Sequence, residues 1–195
     1  EKFRARALNP HTHAVTRGGA ENDDIYFQGR EAQNAHFDKV LDYAVKYFNE
    51  ASRLSGREYA PFTYYGAEDA TKIIIAMGSV TETTKEVIDD LLKKGEKVGL
   101  VKVHLYRPFS AKHLVEKIPA TVKEIAVLDR TKEPGSIGEP MYLDVCACYA
   151  GNADAPMIIG GRYGLGSKDT IPADIIAAYK NLDAANPVKG FTLSI

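Results

Sequence analysis

The chain has 195 residues, 45% hydrophobic and 26% charged, with 25 basic against 26 acidic side chains and a formal net charge of −1. That balance excludes a dedicated binder of nucleic acid or of anionic membrane, since both need a basic excess or patch. No apolar run approaches the roughly 18 to 20 residues that span a bilayer, and the opening Glu1-Lys-Phe-Arg-Ala-Arg6 lacks the apolar core of a signal peptide.

Residues 1–34 have weak periodicity. They carry Asn9-Pro10, Arg17-Gly18-Gly19 and the acidic Glu21-Asn-Asp-Asp24, and only Ile25-Tyr-Phe27 is apolar. The expectation is an extended N-terminal arm with an aromatic clip, lying on something else. The first residue is Glu, not Met, which suggests a fragment of something longer. From residue 35 the pattern turns helical: Phe37, Val40, Leu41, Ala44, Val45, Phe48, Ala51 and Leu54 recur at three- and four-residue spacing, and Gly56 supplies a stop. Tyr43 and Tyr47 widen the stripe, so a well-packed core helix is expected.

Residues 59–66 are aromatic and extended. Then strand and helix alternate. The run 72–78 is a buried strand ending in glycine. The run 80–94 is an amphipathic helix with Val87, Ile88, Leu91 and Leu92 inside, and Gly95 closes it. Residues 97–105 form a second strand. Ser110 is placed to cap a helix over 111–117. Residues 124–128 form a third strand, and Glu139-Pro140 opens the next helix, because proline suits the first helical position and the acid faces the positive helix end. A strand at 157–160, a helix at 172–182 and a strand candidate at 191–195 complete the chain. This alternation predicts an α/β fold: a mostly parallel open sheet with right-handed crossovers and helices on both faces, formed by residues 35–195.

The loop Asp129-Arg-Thr-Lys-Glu133, with Gly135 and Gly138, sits at the carboxyl end of a strand, where ligands and partners of open α/β sheets gather. Its alternating charges suit ion-pair docking to another surface, or simply a solvated βα connection. The loop Gly160-Gly-Arg-Tyr-Gly-Leu-Gly-Ser-Lys168 also follows a strand. Gly161 and Gly166 have phosphate-loop spacing, but Ser167 and Lys168 come in reverse order and the next helix starts only near Pro172. Gly164-Leu-Gly166 lacks the third glycine of a dinucleotide fingerprint. A free-standing phosphate- or nucleotide-binding module using the 161–168 loop therefore stands as an alternative reading.

Arg107-Pro-Phe109 at a strand end reads as a structural turn rather than an anion site. His11 and His13 straddle one residue without a third ligand. No serine sits in a nucleophile elbow. Cys146 and Cys148, at i and i+2 of a helix, face different ways and read as reduced core thiols, consistent with a cytoplasmic protein. The residues form no complete catalytic, cofactor or metal site.

Ala7-Leu-Asn-Pro10, Arg17-Gly18, Asp24-Ile-Tyr-Phe-Gln28, Tyr65-Gly-Ala67, Met77-Gly-Ser79, Val101-Lys-Val103 and Leu105-Tyr-Arg-Pro-Phe109 occur in that order, ahead of Leu128-Asp-Arg-Thr-Lys-Glu-Pro-Gly135 and Ile159-Gly-Gly-Arg-Tyr-Gly-Leu-Gly-Ser-Lys168. Together they resemble pyruvate:ferredoxin (flavodoxin) oxidoreductases from end to end, although Gly19-Ala-Glu-Asn-Asp23 departs from the family's more Thr-Ala-Gln-Asn-Pro-like run. The resemblance implies an internal piece of a much longer polypeptide: the linker over 1–34, then a domain like the C-terminal domain of transketolases. The full protein would use thiamine diphosphate, Mg and [4Fe-4S] clusters to oxidise pyruvate. It would pass electrons to ferredoxin or flavodoxin and the acetyl group to coenzyme A. Those sites would lie elsewhere; family coenzyme A contacts begin just beyond Ile195. The implied role here is architectural, within a homodimer. Asp129, Arg130, Lys132, Glu133, Gly135, Gly138, Glu139, Arg162, Gly164, Gly166 and Lys168 are the candidate contacts to other domains, and the piece alone is expected to be inactive.

Overall fold

The computed structural model describes every residue except His13, Thr16, Arg17, Ser194 and Ile195. The His13 half of the histidine pair, the Arg17 end of its motif and the last two residues of the final strand candidate therefore lie outside the described residues. The chain divides into two units, Glu1–Lys39 and Val40–Ile195.

In the first unit the expected extended arm is corrected over ten residues: Asp23–Ala32 is a helix, α1. Asn22 sits extended at the N-cap, and Asp23 and Asp24 place carboxylates at the positive end of the helix. The apolar residues Ile25, Tyr26 and Phe27 are consecutive rather than spaced by three or four, so hydrophobic periodicity could not reveal it. All three are exposed, and no residue of α1 is buried.

The next helix, α2 (Asn34–Ser55), starts one residue before its expected position and ends as expected at Gly56, whose φ is +70°. Its packing is a correction. Leu41, Ala44, Val45 and Phe48 are half-buried, but Tyr43, Tyr47 and Leu54 stand in water at 60%, 65% and 71% exposure. The apolar pattern wraps further round the helix than its packed face does. At 3.6 residues per turn Tyr43 and Tyr47 face away from Leu41, Ala44, Val45 and Phe48, and so stand outside the packed stripe.

The second unit is built on a six-stranded sheet. Its elements after α2 are β1 (Phe62–Gly66), β2 (Lys72–Met77), α3 (Val80–Lys93), β3 (Val98–Val103), α4 (Ala111–Val115), β4 (Glu124–Asp129), α5 (Pro140–Cys148), β5 (Met157–Arg162), α6 (Pro172–Leu182) and β6 (Phe191–Thr192). The strand order is β1-β3-β2-β4-β5-β6, with β1 antiparallel on one edge and every other pair parallel. The mostly parallel sheet with helices on both faces is as the alternation predicts.

Buried β-branched runs make the central strands. Ile73, Ile74 and Ile75 are fully buried because each side of β2 is covered. Ile74, Leu100, Ala126 and Leu128 face α3 and α6 through Val87, Ile88, Ile175 and Tyr179. Ile73, Ile75, Ile125 and Val127 face α4 and α5 through Leu114, Met141 and Val145. Tyr179 is buried between α6 and the sheet and donates to the Gly99 carbonyl at 2.8 Å. At the amino ends of the strands, the buried Lys72 ammonium meets Asp183 at 2.5 Å and Glu96 at 3.4 Å. Ser110 caps α4 as expected, accepting the His113 N–H at 3.4 Å.

Tyr64 closes the β1 edge. Its hydroxyl donates to the Ala67 carbonyl at 2.5 Å, and its ring fills the space that a Gly99 side chain would need. Burial pushes the Tyr64 phenol up to about 12, with the Asp69 carboxylate adding to the effect. An unfolded tyrosine ionises near pH ~10. The folded value is the higher one, so this contribution is fully present below about pH 10 and is lost as pH rises through about 12. Urea stability is expected to fall across that alkaline range. Tyr64→Phe should remove part of the slope while lowering neutral-pH stability by about 1 kcal/mol for the lost hydrogen bond. An unchanged slope in the variant would show that another group governs the alkaline loss.

Candidate functional site at the strand carboxyl ends

The chemistry-bearing loops gather where the central strands end. Asp129 is the last residue of β4 and is only 3% exposed. Its two carboxylate oxygens accept the Met141 and Tyr142 N–H groups, each at 3.0 Å. These are first-turn donors of α5 that the residue at the N-cap position, Glu139, leaves uncapped. A strand-end aspartate thus caps a helix that begins eleven residues later. Burial raises the Asp129 carboxyl above its ordinary value; the two N–H bonds pull it back, and the nearby Glu139 and Asp144 push it further up.

Glu139 is equally buried but points the other way. One oxygen accepts the Glu133 N–H at 2.7 Å, and the other accepts Arg162 Nη1 at 3.2 Å. Arg162 completes its fork with Nε to Thr192 Oγ1 at 3.1 Å and Nη2 to the Gly190 carbonyl at 2.5 Å. Loop 130–138 is therefore fastened to β5 and β6 from beneath. A planar guanidinium can serve three acceptors at once, which a lysine here could not.

The two loops chosen from the sequence come together as one surface. Besides the Glu139–Arg162 pair, Arg130 Nε donates to the Gly164 carbonyl at 3.0 Å. Gly164 has φ +61°, and a Cβ there would stand 3.1 Å from that Nε, so glycine is required both for the turn and for the arginine. Gly138 lies against the Tyr142 ring with no room for a side chain. Lys132, Glu133, Gly135, Gly166 and Lys168 are exposed, whereas Asp129 and Glu139 are buried and act within the domain. At the loop tip, Ile137 is 94% exposed.

Arg107 is the structural turn expected of it. Its guanidinium stacks 4.0 Å from the Tyr106 ring centroid and meets Asp144 at 2.7 Å, while Tyr106 donates to the same carboxylate at 2.9 Å. Cys146 and Cys148 are half-buried on α5, where burial pushes both thiols up, and Cys148 donates to the Asp144 carbonyl at 3.2 Å. A four-iron, four-sulfur cluster is held by four cysteine thiolates. The chain has two cysteines, so its own residues do not fit that group. Among the described residues, no three His, Cys, Asp or Glu side chains converge as a metal site, and no helix is long and apolar enough to cross a membrane.

Comparison with known proteins decides the family. The description "Pyruvate:ferredoxin oxidoreductase core domain II" matches residues 70–175. The chain belongs to that family. It is 53% identical over its whole length to a pyruvate-flavodoxin oxidoreductase of Klebsiella pneumoniae, and 49% identical over 99% of its length to a pyruvate:ferredoxin oxidoreductase of Moorella thermoacetica. It spans 17% and 16% of those relatives. Among solved structures, a 2-oxoglutarate:ferredoxin oxidoreductase from Magnetococcus marinus superposes with a TM-score of 0.53 at 17% identity, over 85% of this chain and 24% of that one. That likeness establishes the fold. The matched residues of this core domain II run from the start of β2 into α6 and contain both loops.

Sequence reading missed how the domain holds these loops. The Asp129 cap has a usable signal: an aspartate closing an apolar strand, ahead of a proline-started helix whose N-cap position holds a glutamate rather than Ser, Thr, Asp or Asn. The role of Tyr142, which walls both Gly138 and Gly160, has none.

Proposed function

We propose that this chain is an architectural part of a larger pyruvate:ferredoxin or pyruvate:flavodoxin oxidoreductase, and that its 130–138 loop docks against another domain of the same polypeptide. The whole protein would convert pyruvate and coenzyme A to acetyl-CoA and carbon dioxide in the cytoplasm, as a homodimer. Thiamine diphosphate with Mg and [4Fe-4S] clusters would supply decarboxylation and electron transfer to ferredoxin or flavodoxin, from sites outside this chain. Residues 1–34 form the connection to a neighbouring domain. The reading rests on family membership and on the small share of its relatives that the chain spans.

One observation carries the docking role: Ile137 is 94% exposed on a loop that Glu139 and Arg162 anchor from below. An apolar side chain held out in water on an anchored loop suits a neighbour's pocket, with Lys132 and Glu133 as polar rim. Arg130 and the 162–168 loop extend the same surface. Ile137→Asp in the full-length polypeptide is expected to weaken assembly, read by analytical ultracentrifugation, and to lower pyruvate-dependent dye reduction at least tenfold. The melting temperature of the 195-residue chain should stay within about 2 °C, because the residue touches little there. Unchanged assembly and turnover would refute the docking role. Pyruvate- and coenzyme A-dependent dye reduction by the 195-residue chain alone would refute the architectural one.

A further inference from the structure

The sheet reverses direction of growth between β2 and β4. The chain leaves β2 through α3 towards β3 on one side, and leaves β4 through α5 towards β5 on the other, with α3 and α5 on opposite faces. The two exits diverge and leave a gap outside the carboxyl ends of the strands, the position where open α/β sheets take ligands. Here that gap is a crevice of about 220 Å³.

Its walls are polar. Arg130 comes from the end of β4, Lys168 from the β5–α6 connection, and hydroxyls from Ser79, Thr83, Ser167 and Thr170. Arg130 is held in place by its Nε bond to Gly164, which leaves its terminal nitrogens without a partner among the described residues. Lys168 likewise has no ion pair among the described residues. Asp169 is the single carboxylate of the lining, so two cations face one anion. The start of α3 is not the source of the attraction: its Thr81 and Glu82 N–H groups already close onto the Gly78 and Ser79 carbonyls. Ser79 leaves its side chain out of that cap. Ser167 is the one non-glycine residue with positive φ among those described, at +64°, a conformation that L-residues rarely adopt. It directly precedes Lys168 on the crevice wall.

The geometry points to a phosphate group as the occupant. A guanidinium fork suits carboxylate and phosphate alike, but an ammonium and several hydroxyl donors converging with it from other elements match a tetrahedral dianion. The volume exceeds a bare phosphate but falls below the roughly 300 Å³ at which pockets usually enclose a whole small molecule. The ligand is thus inorganic phosphate, or the phosphate end of a larger molecule whose remainder lies outside. This also explains the inverted Ser167-Lys168 order: the lysine reaches in from a loop, and α6, started by Pro172 and closed by Asp174 on the Ile171 N–H, lends no amide cradle. The crevice shares Arg130 and the 162–168 loop with the proposed docking surface, but its chemistry does not require a neighbouring domain.

The test is a titration of the 195-residue chain with inorganic phosphate and, separately, propyl phosphate, followed by backbone amide NMR at constant ionic strength with chloride as reference. Saturable shifts centred on residues 79–83, 130 and 163–170 are expected, weakened at least tenfold in Lys168→Glu and in Arg130→Gln while the rest of the spectrum stays native. Tighter binding of propyl phosphate assigns the crevice to a phosphomonoester end, and equal or weaker binding to the free anion. Shifts that chloride reproduces, that never saturate, or that survive both substitutions overturn the proposal.

Discussion

Asp129→Ala is expected to destabilise the domain by about 2–4 kcal/mol, measured by urea unfolding at neutral pH. The substitution leaves two N–H donors of α5, those of Met141 and Tyr142, without their acceptor beneath a covered helix start. Each buried unsatisfied donor costs about 1–3 kcal/mol, and relief of the buried carboxylate offsets part of that. The sign of the titration sharpens the test. Burial is the larger influence and raises the Asp129 carboxyl, so ionisation of this group costs the fold stability as pH rises through its raised value. The two N–H bonds oppose that cost. Asp129→Asn removes the charge yet keeps one acceptor, and its loss at neutral pH should be clearly smaller than that of alanine. Equal losses would mean that the carboxylate is not the cap. Because Glu139 anchors the same loop through Glu133 and Arg162, Glu139→Ala combined with Asp129→Ala should depart from additivity, as expected of two supports for one loop.

Gly66→Ala is expected to cost about 3 kcal/mol or more, the upper range for single substitutions, because two mechanisms act together. Gly66 ends β1 with φ +133°, a conformation that L side chains rarely adopt. A Cβ there would also lie 2.5 Å from Gly99 Cα and 2.5 Å from the Val98 carbonyl oxygen, and both are backbone atoms that cannot rotate away. The β1–β3 pair would have to separate at its Gly66–Gly99 end, releasing Tyr64 from its place over Gly99. Gly95→Ala is the control. Gly95 has φ +85° with nothing within 4 Å of an added Cβ, so only the conformational cost of about 1–2 kcal/mol applies. Similar losses for the two variants would show that the edge strand yields and that the close approach does not matter.

The sequence by itself determined the order and kind of the central elements. Runs such as Lys72–Met77 and Glu124–Asp129 are apolar, short and bounded by breakers, and α3 carries a 3.6-residue stripe closed by a glycine. These signals are local, so they survive without knowledge of partners. The parallel arrangement followed from them, since alternating strands and helices have few other ways to bury both faces. The family motifs were legible for a similar reason: they are contiguous strings. Where local pattern and burial part company, the sequence misled. The long apolar pattern of α2 reads as core, yet Tyr43 and Tyr47 stand in water, because the turn of the helix carries them away from the stripe into which the pattern counts them. The acidic start of α1 overrode an aperiodic apolar cluster.

Only the tertiary structure decided what the charged loops do. Asp129 and Glu139 sit ten residues apart, and the sequence placed the helix-facing acid at Glu139, beside Pro140, and not at Asp129. Folding buries both and divides their work, one capping α5 and the other receiving Arg162 from β5. The meeting of Arg130 with Gly164, and of Lys168 with the beginning of α3, joins residues separated by more than thirty positions. Such pairings depend on strand order, with β5 beside β4 and β2 on its other side. Strand order is set by crossover geometry and by the burial of two whole sheet faces, and no single segment of sequence contains either.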